Sequence, residues 1–129
     1  MSTTTARADL AAYNDAIRLP PADVSARLMG LLGAKLVAYI GSVRETRAVR
    51  QWAAGDREPS AEVVLRLRTA LQVAGLLREK DSAAVVQTWF QGMNPQLGDV
   101  APARLLREGE LDEVGPQVLA AARAFAAEG

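Results

Sequence analysis

Arg44, Arg47, Arg50 and Gln51 recur at steps of three, three and one residues, with Thr46 among them. Wound at 100° per residue, Arg44, Arg47 and Gln51 share one side of a helix and Arg50 lies on their flank. Val49, Trp52, Ala53 and Glu45 fall on the opposite side. These side chains suit one chemistry. An arginine fork bridges O6 and N7 of guanine, glutamine bridges N6 and N7 of adenine, and either holds a phosphate oxygen. The first turn of a helix disfavours cations by roughly 0.3–1 kcal/mol each, so arginines placed there want an anion nearby. The plainer use of the same residues is a solvated face that happens to be rich in arginine. Trp52, beside Val49, reads as a core anchor rather than a stacking platform.

The composition removes most other chemistry. Among 129 residues there is no histidine and no cysteine, and only two lysines are present. Serine–histidine triads, thiol nucleophiles, disulfides and zinc sites built on His or Cys are excluded for this chain alone. No catalytic residue, metal or cofactor is expected. A binding protein is the expectation, not an enzyme.

The elements that must hold the arginines are all helical. No stretch alternates apolar and polar residues long enough for a strand, so an all-α fold is expected, a helix-turn-helix bundle followed by a small helical unit. Leu28, Leu31, Leu32, Leu36 and Ile40, punctuated by Gly30, Gly33 and Gly41, predict short helices over 23–31 and 33–40. Ser42-Val43-Arg44-Glu45 has the form of a capping box, which predicts the arginine helix from Val43 to Ala54, with Gly55 as its left-handed stop. Ser60 caps a helix reaching about Glu79, with Val64, Leu67, Leu71 and Ala74 inward, supported by Val63, Leu65 and Leu76. Helices follow over 83–90, 102–107 and 111–127, the last with Leu111, Val114, Val118, Ala122 and Phe125 on one face. Residues 1–21 form an arm, frayed or a short helix, with Leu10, Tyr13 and Ile17 at helical spacing. The expected division is an arm at 1–21, a helix-turn-helix unit at 22–80 and a second unit at 81–129.

The net charge of zero hides a gradient. Residues 24–80 carry ten basic and five acidic groups, while residues 81–129 carry three basic and seven acidic. A basic middle attracts a polyanion and an acidic end repels one, which suits two surfaces with different partners. No run approaches the roughly 18–20 apolar residues of a membrane span, and the first residues lack the pattern of a secretory signal. A cytoplasmic protein without membrane contact is expected.

The string VRQWAAGDREPS, Val49 to Ser60, resembles the end of the recognition helix in Xre-type helix-turn-helix proteins. Further on come Thr88-Trp89-Phe90, Met93-Asn94-Pro95, Leu97-Gly98, then Pro102-Ala103-Arg104-Leu105-Leu106-Arg107-Glu108-Gly109, and Val114 before a closing helix. That order and spacing resembles the antitoxin domain of the Xre/MbcA/ParS family, and with the earlier string the likeness covers about residues 24–129. The resemblance implies an antitoxin of a type II module. Its partner would be a RES-domain toxin that degrades NAD⁺, blocked by the C-terminal part. The helix-turn-helix would bind the operon's own promoter DNA as a homodimer and so autoregulate transcription, through Arg44, Thr46, Arg47, Arg50 and Gln51. Two departures from the family stand out. The turn around Gly41 is longer or differently phased than usual, and the arm has no counterpart.

On the same resemblance the toxin-binding residues would be Arg104, Arg107, Glu108, Glu110 and Asp112 around a turn, and Arg123, Phe125, Glu128 and Gly129 at the tail. An acidic tail could mimic the phosphates that a cationic cleft holds. A free-standing regulator of phage-repressor type, with a dimerising C-terminal unit, is the alternative. A third is an adaptor that kept the fold and lost DNA binding.

Overall fold

Proline and glycine set the first boundaries. In the computed structural model, which describes residues 3–128 and the side chains of residues 7 and 9–128, helix α1 runs Thr3–Arg18 and α2 runs Pro21–Leu32. Pro21 opens α2 where its missing N–H costs nothing, and Asp23 sits in that first turn. Gly33, at φ 84°, breaks the chain so that α3, Ala34–Ile40, leaves in a new direction. Helix α4 is Thr46–Ala54, ended by Gly55 at φ 79° with its N–H bonded back to the carbonyls of Gln51 and Trp52. Helix α5 is Ala61–Arg78, capped by Ser60, whose hydroxyl accepts from the Val63 amide at 3.3 Å. Ser82 does the same for Val85 at the start of α6, Ala83–Gln91.

A single 3-10 turn, Pro95–Leu97, follows, with Asn94 accepting from the Gln96 amide at 2.9 Å. Helix α7 is Pro102–Glu108 and α8 is Leu111–Glu128. The described residues are thus all-α, with eight helices and one isolated bridge between Asn94 and Val100. No helix among them is long and apolar enough to cross a membrane.

Helix α5 is apolar on more than one side, which is the pattern of a central helix. Leu67, Ala70, Leu71, Val73, Ala74, Leu76 and Leu77 are all buried. Helix α1 lies antiparallel along it. Ala12 meets α5 near Gly75, while Arg68 donates to the carbonyls of Ala16 and Leu19 at 2.8 and 2.7 Å. Helix α8 runs parallel to α5, since Gly115 lies near Thr69 and Lys80 donates to the Ala126 carbonyl at 2.8 Å. Gln87 of α6 donates to the Leu31 carbonyl of α2 at 3.1 Å. Buried residues from Ala12 to Ala122 form one continuous cluster, so the arm, the middle and the end share a core.

Two expectations are overturned, at Leu65 and at the Ser42 capping box, and the arm takes a face that helical spacing alone left open. The arm's apolar stripe faces outward: Leu10, Tyr13 and Ile17 are 61%, 48% and 55% exposed, and Ala12 and Ala16 face α5 instead. Small side chains occupy the contact because α1 comes so close that a Cβ on Gly75 would lie 3.3 Å from that of Ala12. Leu65 is likewise exposed rather than inward. The capping box at Ser42 does not form, and α4 begins at Thr46 with Glu45 at its N-cap position and no side-chain cap. The amides that would start α4 are spent ending α3. The Ser42 N–H bonds to the Tyr39 carbonyl at 3.1 Å and that of Val43 to the Ala38 carbonyl at 3.0 Å. This is a Schellman closure with Ser42, at φ 58°, in the left-handed position usually given to glycine.

Candidate nucleic-acid interface and the surface around Phe125

Helices α3 and α4 make a helix-turn-helix whose turn spans residues 41–45, longer than the usual three or four. The angle between them is fixed by contact. Trp52 is 3% exposed, and a Cβ placed on Gly41 would sit 3.1 Å from both Cη2 and Cζ3 of its ring. Gly41 itself has ordinary helical torsions, φ −78° and ψ −1°. Its lack of a side chain serves the close approach, not an unusual backbone. Trp52 is the core anchor its neighbours predicted.

The longer turn moves Arg44 off the helix and into the connection. Arg47 stays in the first turn of α4, which contains no acidic residue and has no side-chain cap, the Glu45 carboxylate at the N-cap position being the one acid beside it. Arg44, Arg47 and Arg50 are exposed, Thr46 is half-buried, and Arg50 donates to Thr46 Oγ1 at 2.7 Å. These four line one open hollow of about 810 Å³, together with Lys35, Tyr39, Ser42, Glu45 and Arg107. Five cations and one carboxylate therefore surround a single concavity. Gln51 is half-buried and lies outside that lining. Glu45, expected to face inward, is exposed.

Sequence reasoning left out Lys35 and assigned Arg107 to the toxin-facing turn, whereas the fold brings Arg107 to this hollow. Lys35 stands four residues before Tyr39 on α3, a spacing that puts both on one helix face, so the signal was present. Arg107 had no local signal. It reaches the hollow from α7, with its Nη1 donating to the Tyr39 carbonyl at 2.8 Å and its guanidinium carbon 4.6 Å from the centre of the Tyr39 ring.

The residues expected at the toxin-facing end do not gather. Arg104 and Glu108 pair with each other along α7 at 3.2 Å. Glu110 and Asp112 are exposed around the start of α8, where acids suit the helix dipole. Arg123 is held by Asp9 of α1 at 2.6 and 3.2 Å. At 1.5 Å per residue, Asp112 and Phe125 are about 20 Å apart along α8. Gly129 lies outside the described residues.

Around Phe125 a different surface takes shape. Phe125 packs against Trp89 with ring centres 6.4 Å apart, and Trp89 meets Phe90 edge-on at 5.3 Å. Two adjoining hollows share Thr88, Trp89 and Phe125. One, of about 300 Å³, adds Ala84 and Val85, and the other, of about 400 Å³, adds Met93, Asn94, Gln96 and Glu128. Val85 and Met93 are 39% and 79% exposed, so the lining is largely apolar and open to water. Glu128 provides an acid at its end.

No protein-family model, curated protein or solved structure matches this chain.

Proposed function

We propose that the chain is an antitoxin of a type II module, which binds its own promoter DNA through the α3–α4 face and blocks a RES-domain, NAD⁺-degrading toxin with its C-terminal part. On this reading it is a cytoplasmic binding protein and not an enzyme. The observation that carries the DNA half is the hollow where Lys35, Arg44, Arg47, Arg50 and Arg107 converge beside an uncapped helix start. None of the five belongs to an ion pair among the described residues, and the same holds for Arg18, Arg57, Arg68, Arg78 and Lys80, so the weight falls on the convergence of five cations on one concavity. A phosphate would supply the missing counter-charge and release condensed counterions as it did so.

The toxin half is supported by the Trp89, Asn94-Pro95, Leu97-Gly98 and Pro102 series, and by the open groove beside Trp89 and Phe125. One observation suits a homodimer under this reading and under that of a free-standing regulator alike. The stripe of Leu10, Tyr13 and Ile17 offers an exposed apolar helix face of the kind a homodimer covers.

The DNA half is tested by fluorescence anisotropy with a duplex from the chain's own upstream region, using Arg44→Ala with Arg47→Ala. Affinity should fall at least tenfold, on the order of 1–3 kcal/mol, while the melting temperature and the rescue of toxin-expressing cells stay unchanged. Unchanged affinity would remove this face from the reading.

A further inference from the structure

We propose that Arg107, which lies outside the helix-turn-helix, contacts the nucleic-acid backbone directly, so that the footprint extends from α3 and α4 onto α7. The inference rests on the DNA-binding reading of the same hollow. Arg107 is separated from Tyr39 by 68 positions, yet the fold fixes its guanidinium at the rim. Both partners that fix it are neutral. The Tyr39 carbonyl accepts one N–H, and the guanidinium carbon lies over the Tyr39 ring. The positive charge is therefore held in place without being cancelled, and Glu108, the adjacent acid, is taken by Arg104.

A guanidinium has five N–H donors, and a single bond to Tyr39 leaves most of them for phosphate oxygens. Because the fork is already oriented, little rotamer freedom remains to be lost when it binds. Arg107 thus has what a phosphate clamp needs: fixed position, intact charge and spare donors. On α7 it also joins the helix that carries the Arg104–Glu108 pair to the surface made by α3 and α4.

The test measures anisotropy of the full chain with the upstream duplex and with a scrambled one, over a series of salt concentrations. Wild type, Arg107→Ala, Arg107→Lys, Arg107→Gln and Arg47→Ala are compared, with each fold checked by circular dichroism. Arg107→Ala should weaken binding to both duplexes and lower the slope of log affinity against log salt by about one. Equivalently, its deficit against wild type should shrink about three- to fourfold between roughly 50 and 200 mM salt. Arg107→Lys keeps the charge but not the fork and should keep the slope, whereas Arg107→Gln removes the charge, should lower the slope by about one, and covers the case in which the alanine variant does not fold. If Arg47→Ala weakens binding while Arg107→Ala and Arg107→Gln match wild type, the inference falls and the DNA-binding reading stands. A weaker Arg107→Ala with an unchanged slope makes Arg107 a structural clamp and also overturns the inference. If no variant alters binding, both fall together.

Discussion

Replacing Gly41 with alanine isolates the contact that sets the angle of α4. The backbone there, φ −78° and ψ −1°, suits alanine, which by itself would stabilise by about 0.4–1 kcal/mol through a less flexible unfolded chain. Packing works the other way. The new methyl would lie 3.1 Å from Cη2 and Cζ3 of Trp52 and 3.3 Å from the Val37 carbonyl oxygen. The ring has little room to retreat, since Trp52 is 3% exposed and belongs to the continuous core. Overfilling such a site costs about 1–3 kcal/mol, so the net loss for Gly41→Ala should be about 0.5–2 kcal/mol. Urea unfolding followed by far-ultraviolet circular dichroism should show a lower midpoint with an unchanged slope. A second variant, Trp52→Phe, shortens the ring. Combined with Gly41→Ala it should lose less than the sum of the two single changes, by at least about 0.5 kcal/mol. Wild-type or greater stability in Gly41→Ala, or strict additivity in the pair, would refute the idea that ring and glycine are pressed together.

Gly30 gives the opposite outcome. It lies exposed in the interior of α2 with no atom within 4 Å of an added Cβ, so Gly30→Ala should raise stability by about 0.5–1 kcal/mol in the same assay. A fragment of residues 22–80 lacks both α1 and α8, which cover α5, and it should show no cooperative melting transition by calorimetry. A sharp transition would mean that the shared core is dispensable. Val85→Glu with Met93→Glu places charges in the groove beside Trp89 at exposed positions, so stability should change by no more than about 0.5 kcal/mol per site. In co-expression this pair should abolish protection from the toxin while leaving DNA binding intact, and full protection would exclude the groove as the docking surface.

Periodicity made the helices legible. The expected segments from 23–31 through 111–127 match the observed ones to within three residues, and Gly41 and Gly55 end helices where expected. What failed was competition between neighbouring elements. The Ser42–Glu45 pattern satisfies the rule for a helix start, but the end of α3 uses the same amides first, and three residues of the expected α4 become turn. Helical spacing in the arm left a frayed segment and a short helix both open and did not say which face would pack. Leu10, Tyr13 and Ile17 carry the apolar signal, whereas the close approach at Gly75 admits only alanines. The basic face was legible through α4 and, less plainly, through Lys35. Arg107 was not, because its place depends on how α7 packs against α3, a tertiary fact with no local trace.

The ring seated on Gly41 divides α4 into an inner half that cannot drift and an outer half that is free to. Arg47 and Arg50 point to solvent and carry none of the load that orients the helix. Their identities can be exchanged without retuning the scaffold, provided Gly41 and Trp52 are left as a matched pair. The architecture is a fixed handle with a replaceable head, and on the proposed DNA-binding reading a new target sequence would be sought by varying the outward positions alone.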